Sequence, residues 1–276
     1  MSDVAVPPGS EAARPSSSAG VNAALGVLEL LVARGPLTLA ELARELGLAK
    51  STLHRVCSVL VERAWLVRDE AGLYELGVQA LATGSRSSQL PIVVAFRSIA
   101  ASLLTAHNET VCLAALDGDD SVFVALEETS QPVRLVTHVG SRTPAFASSS
   151  GRVILAARPS EHIAGGYGGR PLVTPTGRRL NGLAELHAIL DRVRAEGYAE
   201  NDEDTAIGLY AASVPVRNDA GTTLAALTVL VPTSRMSPAR RERILADLIA
   251  AGERFSELVR WLPAFTVGAD VRDRPA

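Results

Sequence analysis

The sequence predicts an α+β protein of two domains. Its 276 residues exceed the length of one average domain. Near the N-terminus, apolar residues recur with helical spacing and are followed by two short strand-like runs, whereas beyond residue 108 strand-like and helical patterns alternate. Because 47% of the residues are hydrophobic and only 21% are charged, the chain can bury substantial apolar cores.

The patterns divide the chain into five parts. The tail at the N-terminus is rich in Pro, Gly and Ser and has few large apolar residues. An arm that reaches DNA is the alternative for this tail, although Arg14 is its only basic residue. The predicted parts are a disordered tail at residues 1–20, a winged helix-turn-helix at 21–80, a helical connector at 81–107, a second domain at 108–265 and a flexible tail at 266–276.

Three helices with apolar stripes are predicted in the first domain. The first ends at Gly35-Pro36, a common helix terminator. Thr38 and Glu41 have the spacing of a capping box and begin the second helix, which Gly47 ends. The residues expected to face the core are Leu25, Leu28, Leu31 and Val32, then Leu39, Leu42, Ala43 and Leu46, then Leu53, Val56, Cys57, Leu60 and Val61.

A hairpin follows the third helix. That helix is expected at residues 49–63, and short strands near residues 65–68 and 73–76 flank the turn Asp69-Glu70-Ala71-Gly72. Two helices joined by a tight turn, with a trailing hairpin, are typical of a winged helix-turn-helix. A generic packing unit of three helices would produce similar stripes, and the pattern alone leaves that alternative open.

The polar side of the third helix carries donors suited to base edges and phosphates. The net charge of the whole chain is −3, so any DNA binding must come from a local patch, and from Lys50 to Arg68 four basic residues stand against one acid. We expect Arg55 to read bases and Arg68 to contact a phosphate. Ser51 or Thr52 could instead cap the helix, and His54 could be an ordinary surface residue. The predicted DNA-contacting residues are Lys50, Ser51, Thr52, His54, Arg55 and Arg68.

The second half has the mixed pattern of an α+β domain. Strands are expected at residues 110–116, 121–126, 135–139, 209–216 and 222–231. Helices are expected at residues 149–157, 183–196 and 238–261, with a glycine-rich loop at residues 165–169.

Composition and motifs weigh against several function classes. No apolar run reaches the roughly 18 residues that cross a bilayer, and no signal peptide is recognisable, so a cytoplasmic protein is expected. The five histidines lack metal-binding spacing, and no metal or other cofactor is expected. Cys57 and Cys112 lie on apolar faces and are expected to be core residues. Ser148–Ser150 lack the GxSxG elbow of hydrolases, residues 165–169 (GGYGG) lack the end of a P-loop, and Glu203-Asp204 is expected to be surface charge; an enzyme is not expected.

Several stretches resemble one family of regulators. GLAKSTLHRV, LVERAWLV and YELG, within residues 36–77, resemble the DNA-binding domain of IclR-family transcription regulators. The second half resembles the same family in HVGSRTPAFASSSGRVILAA, LDRVRAEGYAENDED, GLYAASVPVRNDAG and AALTVLVP, so the resemblance covers about residues 21–262 in the family's order.

The resemblance implies a fold and a function. The second domain is expected to be a GAF/PAS-like antiparallel-sheet effector domain. Homodimers, often paired as dimers of dimers, are expected on double-stranded operator DNA, and members more often repress catabolic operons than activate them. From the residues alone, a sensor that acts through protein partners remains the alternative.

The resemblance also implies an effector site beside the small-residue run at residues 147–151. Ala211, Asn201 and Leu230 depart from common family patterns and favour an effector with an apolar or aromatic body and an acidic end. Carried over position by position, the effector-binding residues are Leu135, Thr143, Ser149, Ser150, Asn201, Ala211, Thr228 and Leu230.

Helix physics agrees with an acidic effector at this run. Free N–H groups at a helix start, the helix dipole and three hydroxyls suit a carboxylate. Ordinary N-capping by one of the serines is the alternative. Arg142 could pair with the same acid or be structural.

Overall fold

The computed structural model describes residues 17–87 and 89–263. The chain divides into two compact units, residues 1–88 and 89–276. The predicted C-terminal tail and most of the predicted N-terminal tail lie outside the described residues. The first helix, α1, spans Ser17–Arg34, so residues 17–20, which were expected in the tail, are helical.

The N-terminal unit contains the predicted helix-turn-helix and hairpin. Its three strands form an antiparallel sheet in the order β1-β3-β2. After α1 the elements are β1 Leu37–Thr38, α2 Leu39–Leu46, α3 Lys50–Glu62, β2 Leu66–Arg68, β3 Leu73–Leu76 and α4 Val78–Ser87.

The capping box at the start of α2 is confirmed. The Thr38 N–H donates to the Glu41 carboxylate at 2.8 Å, and the Glu41 N–H donates to the Thr38 hydroxyl at 3.3 Å. The Thr38 hydroxyl also donates to the Glu41 carboxylate at 2.7 Å, and together with the Thr38 N–H it holds the pKa of Glu41 below its usual value. Gly47 ends α2 with φ +63°, a left-handed conformation that glycine adopts readily. The tight turn between α2 and α3 therefore follows from local sequence.

The core of this unit includes most of the expected residues but corrects three. In α1 the inward face runs through Ala23, Val27 and Leu31, which are four residues apart and buried. Leu25 and Val32 lie off this face and are exposed by 51% and 54%, and Val61 of α3 is also exposed. The buried residues of α2, α3 and the hairpin include Leu42, Leu53, Cys57, Leu60, Leu66 and Tyr74.

The C-terminal unit is a six-stranded antiparallel sheet with helices on both faces. The strand order is β6-β5-β4-β9-β8-β7. Its elements are α5 Pro91–His107, β4 Thr110–Asp117, β5 Asp120–Glu127, β6 Arg142–Pro144, α6 Ser149–Ala156, α7 Ser160–Tyr167, α8 Leu183–Glu196, β7 Ala199–Asp202, β8 Leu209–Arg217, β9 Thr223–Pro232, a 3-10 turn Thr233–Arg235 and α9 Pro238–Val259.

Strand alternation separates the two faces of this sheet. On one face, α5 and α9 pack with alternate strand residues such as Leu113, Leu227 and Val229. On the other face, α6, α7 and α8 pack over Ala114 and Ala226. The helix α5 packs against the sheet and α9 in this core through its buried Phe96 and other apolar residues. The prediction of a separate connector therefore does not hold for residues 91–107.

Three further expectations about elements change. Residues 135–139 form no strand; the β5 edge instead pairs with β6, where Arg142 lies opposite Val122. Helix α7 takes in part of the predicted glycine-rich loop. The short edge strand β7, sequence AEND, was not predicted because Glu, Asn and Asp are uncommon in strands. Within the described ranges, every helix is too short or too polar to serve as a membrane span.

The start of α6 touches the preceding backbone. A Cβ added at Gly151 would lie 2.3 Å from the Ala145 carbonyl oxygen. Only glycine permits this approach, which brings the first turn of α6 against residues 144–147. By contrast, a Cβ at Gly165 of α7 would meet nothing within 4 Å.

We expect Gly151→Ala to destabilise the protein by about 1–3 kcal/mol, because the added methyl group forces the helix away from Ala145. Gly165→Ala is the matched control and should leave stability unchanged or raise it slightly. Urea unfolding followed by circular dichroism measures both. Equal midpoints for the two variants would show that the close packing at Gly151 is dispensable.

Candidate functional site

The polar side of α3 is open to solvent. All six predicted DNA-contacting residues are exposed: Lys50, Ser51, Thr52, His54, Arg55 and Arg68. The N-cap of α3 is Ala49, which makes no capping bond, so Ser51 and Thr52 are not its cap. Within residues 17–87, no acid pairs with Lys50 or Arg55, and both charges remain available to a polyanion.

The hairpin presents a further cation. The Arg68 guanidinium lies 5.4 Å from the centre of the Tyr74 ring, a cation–π contact that orients the side chain. The turn beside it is closed by the Leu73 N–H, which donates to the Asp69 carboxylate at 2.7 Å, and by Gly72 with φ +84°. The N-terminal unit therefore exposes positively charged side chains on two elements, Arg68 on the hairpin and Lys50 and Arg55 on α3.

The eight residues predicted to bind an effector surround a single pocket in the C-terminal unit. This pocket has a volume of about 110 Å³, opens to solvent, and has no charged side chain in the lining that the structure describes. Its lining consists of those eight residues (Leu135, Thr143, Ser149, Ser150, Asn201, Ala211, Thr228 and Leu230) together with Phe123, Thr137, Ser141, Ser148, Thr205, Ala206 and Leu209.

Two groups of bonded hydroxyls form and support the polar wall of the pocket. Ser213 of β8 donates to Ser149 of α6 at 2.8 Å and lies 2.9 Å from the Thr228 hydroxyl of β9. The Ser150 hydroxyl lies 2.8 Å from that of Ser121 on β5. Because all five side chains are buried, these bonds fix the positions of the hydroxyls.

The N-terminus of α6 faces the pocket. Ser148 is the N-cap, and its hydroxyl accepts from the Gly151 N–H at 3.1 Å. Capping by one serine, the alternative considered from sequence, is therefore present. It still leaves the N–H groups of Ser149 and Ser150, at the first two helical positions, without an intrahelical partner. These donors and the helix dipole suit an anionic or carbonyl oxygen.

The other wall is apolar. Ala211, Leu230, Leu209 and Cys112 form a small buried cluster, against which Leu135 packs. Burial raises the pKa of the Cys112 thiol, and it raises that of Cys57 to about 11. Both thiols are therefore protonated core groups. No cluster of His, Cys, Asp and Glu among the described residues could hold a metal ion.

Asn201 is held in the wall by a buried ion pair behind it. Its amide donates to the Ala147 carbonyl at 2.7 Å, and its side-chain oxygen accepts from the Asp204 N–H at 2.9 Å. The Asp204 carboxylate accepts from Arg152 of α6 at 2.6 Å, and both side chains are buried. The expectation that Asp204 is surface charge is wrong, because its side chain is buried and paired. Its partner Arg152 lies 52 residues away in sequence, so the local sequence gives no sign of the pair.

The side chain of Arg142 does not line the pocket and instead bonds the turn between β4 and β5. Its guanidinium bonds Asp117 at 2.7 Å and Asp120 at 3.1 Å. Burial alone would lower the pKa of Arg142, but the two carboxylates raise it. The structural alternative given for this arginine is the one observed.

Sequence reasoning missed the residues that support the wall. Ser213 stands two positions after Ala211 on β8 and so shares its face, a period-2 signal that was available. Arg152 gave no local signal, since its partners are the Phe146 and Glu200 carbonyls and Asp204.

Comparisons with known proteins agree with this architecture. The family model of the IclR helix-turn-helix domain matches residues 21–70, and that of the bacterial transcriptional regulator IclR C-terminal matches residues 85–257. The probable transcriptional regulator SauR of Cupriavidus necator is 32% identical over 242 residues, which cover 86% of this chain and 95% of that protein. The acetate operon repressor of Salmonella typhimurium is 27% identical over 223 residues, or 79% and 81% of the two chains.

A solved structure shows the same fold. The crystal structure of an IclR homolog from Microbacterium hydrocarbonoxydans complexed with 4-hydroxybenzoate matches with a TM-score of 0.72 at 24% identity, covering 87% of this chain and 99% of that one. A helix-turn-helix unit joined to a pocket-bearing sheet domain defines a DNA-binding transcriptional regulator, not an enzyme. The chain belongs to the IclR family.

We expect Arg152→Met to cost about 3–5 kcal/mol of stability, because it leaves the Asp204 carboxylate buried beside a neutral side chain. Arg178 also pairs with Asp204 at 3.1 Å but is half exposed, so Arg178→Met should cost under about 1 kcal/mol. Urea unfolding compares the two variants. Similar losses from both would contradict a dominant role for Arg152.

Proposed function

We propose that this regulator is a homodimeric repressor of a catabolic operon, that it acts in the cytoplasm, and that it responds to a small organic acid. The observation that carries the proposal is the pocket in which a helix N-terminus and fixed hydroxyls face an apolar wall. A carboxylate would lie at the N–H groups of Ser149 and Ser150, and an apolar or aromatic body against Leu230. The Microbacterium homolog's 4-hydroxybenzoate has this chemistry, and a repressor among the relatives favours that sign of regulation.

The DNA contacts are assigned to α3 and the hairpin. Arg55 and the residues near the start of α3 would enter the major groove, and Arg68 would contact a phosphate. The N-terminal unit has about as many acids as bases in residues 21–77. Its affinity for phosphate alone is therefore modest, and specific binding requires two copies of the unit.

An exposed apolar stripe on α1 offers a surface for binding a second copy of the chain. Val21, Leu25, Leu28 and Val32 follow spacings of four, three and four residues, the heptad pattern of a helix that packs against another helix. Val21, Leu25 and Val32 are more than half exposed. We infer that α1 contributes to the dimer.

Ligand and operator are coupled through the dimer. The effector can change operator affinity only by its differential affinity for two arrangements of the subunits. We assign the transmission to α4, at the end of the N-terminal unit, and to α5, which follows it along the chain and packs in the core of the C-terminal unit.

Arg55→Ala should lower affinity for duplexes selected from a random DNA library by about 1–3 kcal/mol, or roughly 5- to 150-fold, because one base-reading side chain is lost. Arg34→Ala, at the end of α1, is the matched control and should bind normally. Fluorescence anisotropy at fixed salt measures both. Unchanged binding by the Arg55 variant, with its dimer intact, would remove α3 from the interface.

Leu25→Asp should shift the protein toward monomers, because it places a charge in the proposed helix seam. Its side chain is exposed in a single chain, so circular dichroism should stay unchanged. Val67→Asp on β2, about half exposed, is the control and should remain dimeric. Sedimentation velocity is the measurement, and a fully dimeric Leu25 variant would move the interface elsewhere.

Thr228→Val should weaken binding of a small acid about tenfold, because it deletes a hydroxyl from the polar wall and breaks the bond to Ser213. The probes are 4-hydroxybenzoate and a panel of short carboxylic acids, read by thermal shift and then calorimetry. Thr222→Val, in an exposed turn, should bind like the wild type. If no acid stabilises the wild type, the acidic effector is the wrong class.

A further inference from the structure

Residues 131–140 border the pocket without joining the sheet. Leu135 and Thr137 line the pocket, whereas Val136 between them is 92% exposed and Val133 is 65% exposed. Residues 128–141 contain no helix or strand. An apolar side chain fully in water beside a pocket mouth is unfavourable in the observed state and would be stabilised by closure.

Both ends of this segment are anchored. The Thr129 hydroxyl donates to the Asn108 carbonyl at 2.6 Å, and the Gln131 amide donates to the same carbonyl at 3.3 Å. At the other end, the Gly140 N–H donates to the Phe123 carbonyl at 2.7 Å, with φ +92° at the glycine. Fixed ends with a glycine at one of them are what a hinged segment requires.

Between the anchors, one arginine holds the segment. Arg235, which lies 102 residues further along the sequence, donates to the Val133 carbonyl at 2.6 Å. The same guanidinium bonds the buried Glu109 at 2.8 Å. Glu109 also accepts from Arg240 at 2.7 Å, and Arg240 makes no bond to the segment. Arg235 can therefore restrain the segment through Glu109.

A second loop borders the same pocket. Thr205 and Ala206 line it, and Ile207 beside them is 84% exposed. Ala206 and Leu135 both pack against the cluster around Leu209. The two loops share one apolar cluster, both leave large apolar side chains in water, and the pocket between them opens to solvent.

We propose that residues 131–140 are a lid, that the lid closes against the loop at residues 203–208, and that Arg235 is its latch. This inference rests on the proposed role of the pocket as a ligand site. Closure buries Val136 and Ile207 and excludes water from the hydroxyl wall, which strengthens the hydrogen bonds to a bound acid.

Hydrogen exchange tests the latch. Arg235→Met and Arg240→Met each leave Glu109 with one arginine, and Arg240→Met also removes bonds to the His107 and Arg235 carbonyls, so its general loss of stability should be at least as large. The Gln131 and His138 N–H groups donate to the Thr129 and Ser141 hydroxyls, and their exchange, followed by NMR, should be about tenfold faster only in the Arg235 variant. Equal exchange of this segment in the two variants would overturn the latch.

Disulfide trapping tests the closure. In Val136→Cys with Ile207→Cys, closure brings the two Cβ atoms to about 4 Å, and oxidised glutathione accepts the two electrons as the disulfide forms. The native Cys57 and Cys112 are buried and do not compete. Val94→Cys with Ile207→Cys is the control, because Val94 lies on α5 across the sheet.

The expected result is a disulfide within one chain for the first pair, seen by intact mass after denaturation, and none within one chain for the control. No disulfide, or one formed only between chains, would overturn the lid; the latter would mean that Val136 faces a second copy. Neither measurement needs a ligand. Failure of the acid screen would therefore count against the proposed effector alone, and failure of trapping against the lid alone.

Discussion

The pocket depends on one buried charge. The Arg152 guanidinium bonds the Phe146 carbonyl before α6, the Glu200 carbonyl of β7 and the Asp204 carboxylate. These bonds tie a helix to the edge of the sheet and to the loop that follows it. Because a buried guanidinium must satisfy its donors, the three segments have little freedom to separate. Asn201, the Ser148 cap and the first N–H groups of α6 all lie on segments that Arg152 holds.

Local signals in the sequence predicted most helices and the exposed polar side of α3. The Thr38–Glu41 capping box and the glycine at position 47 act within a few residues, so α2 and the turn were predictable. The stripe assigned to α1 was placed on the wrong side at Leu25 and Val32, since helical spacing alone does not show which apolar residues face the core. Their exposure agrees with the proposed dimer contact, which the structure of a single chain does not contain.

Contacts between distant residues were the part that could not be predicted. Asp204 is buried because Arg152 reaches it across the sheet edge, and a Glu-Asp pair gives no sign of this. The apolar residues at 135–139 suggested a strand, but Leu135 and Thr137 face the pocket in a loop, and Val136 and Val139 are exposed. Family resemblance predicted eight of the side chains that line the pocket. The supporting roles of Ser213 and Arg152 behind them could be identified only from the structure.

The absence of charge in the described pocket lining has a consequence for the cell. The proposed contacts of Lys50, Arg55 and Arg68 with DNA would weaken as ionic strength rises, because the release of condensed counterions becomes less favourable. Hydroxyls, backbone N–H groups and apolar walls are almost indifferent to that change. If the proposed contacts are made, higher ionic strength would therefore weaken the binding of DNA to the N-terminal unit more than the binding of a ligand to the pocket itself.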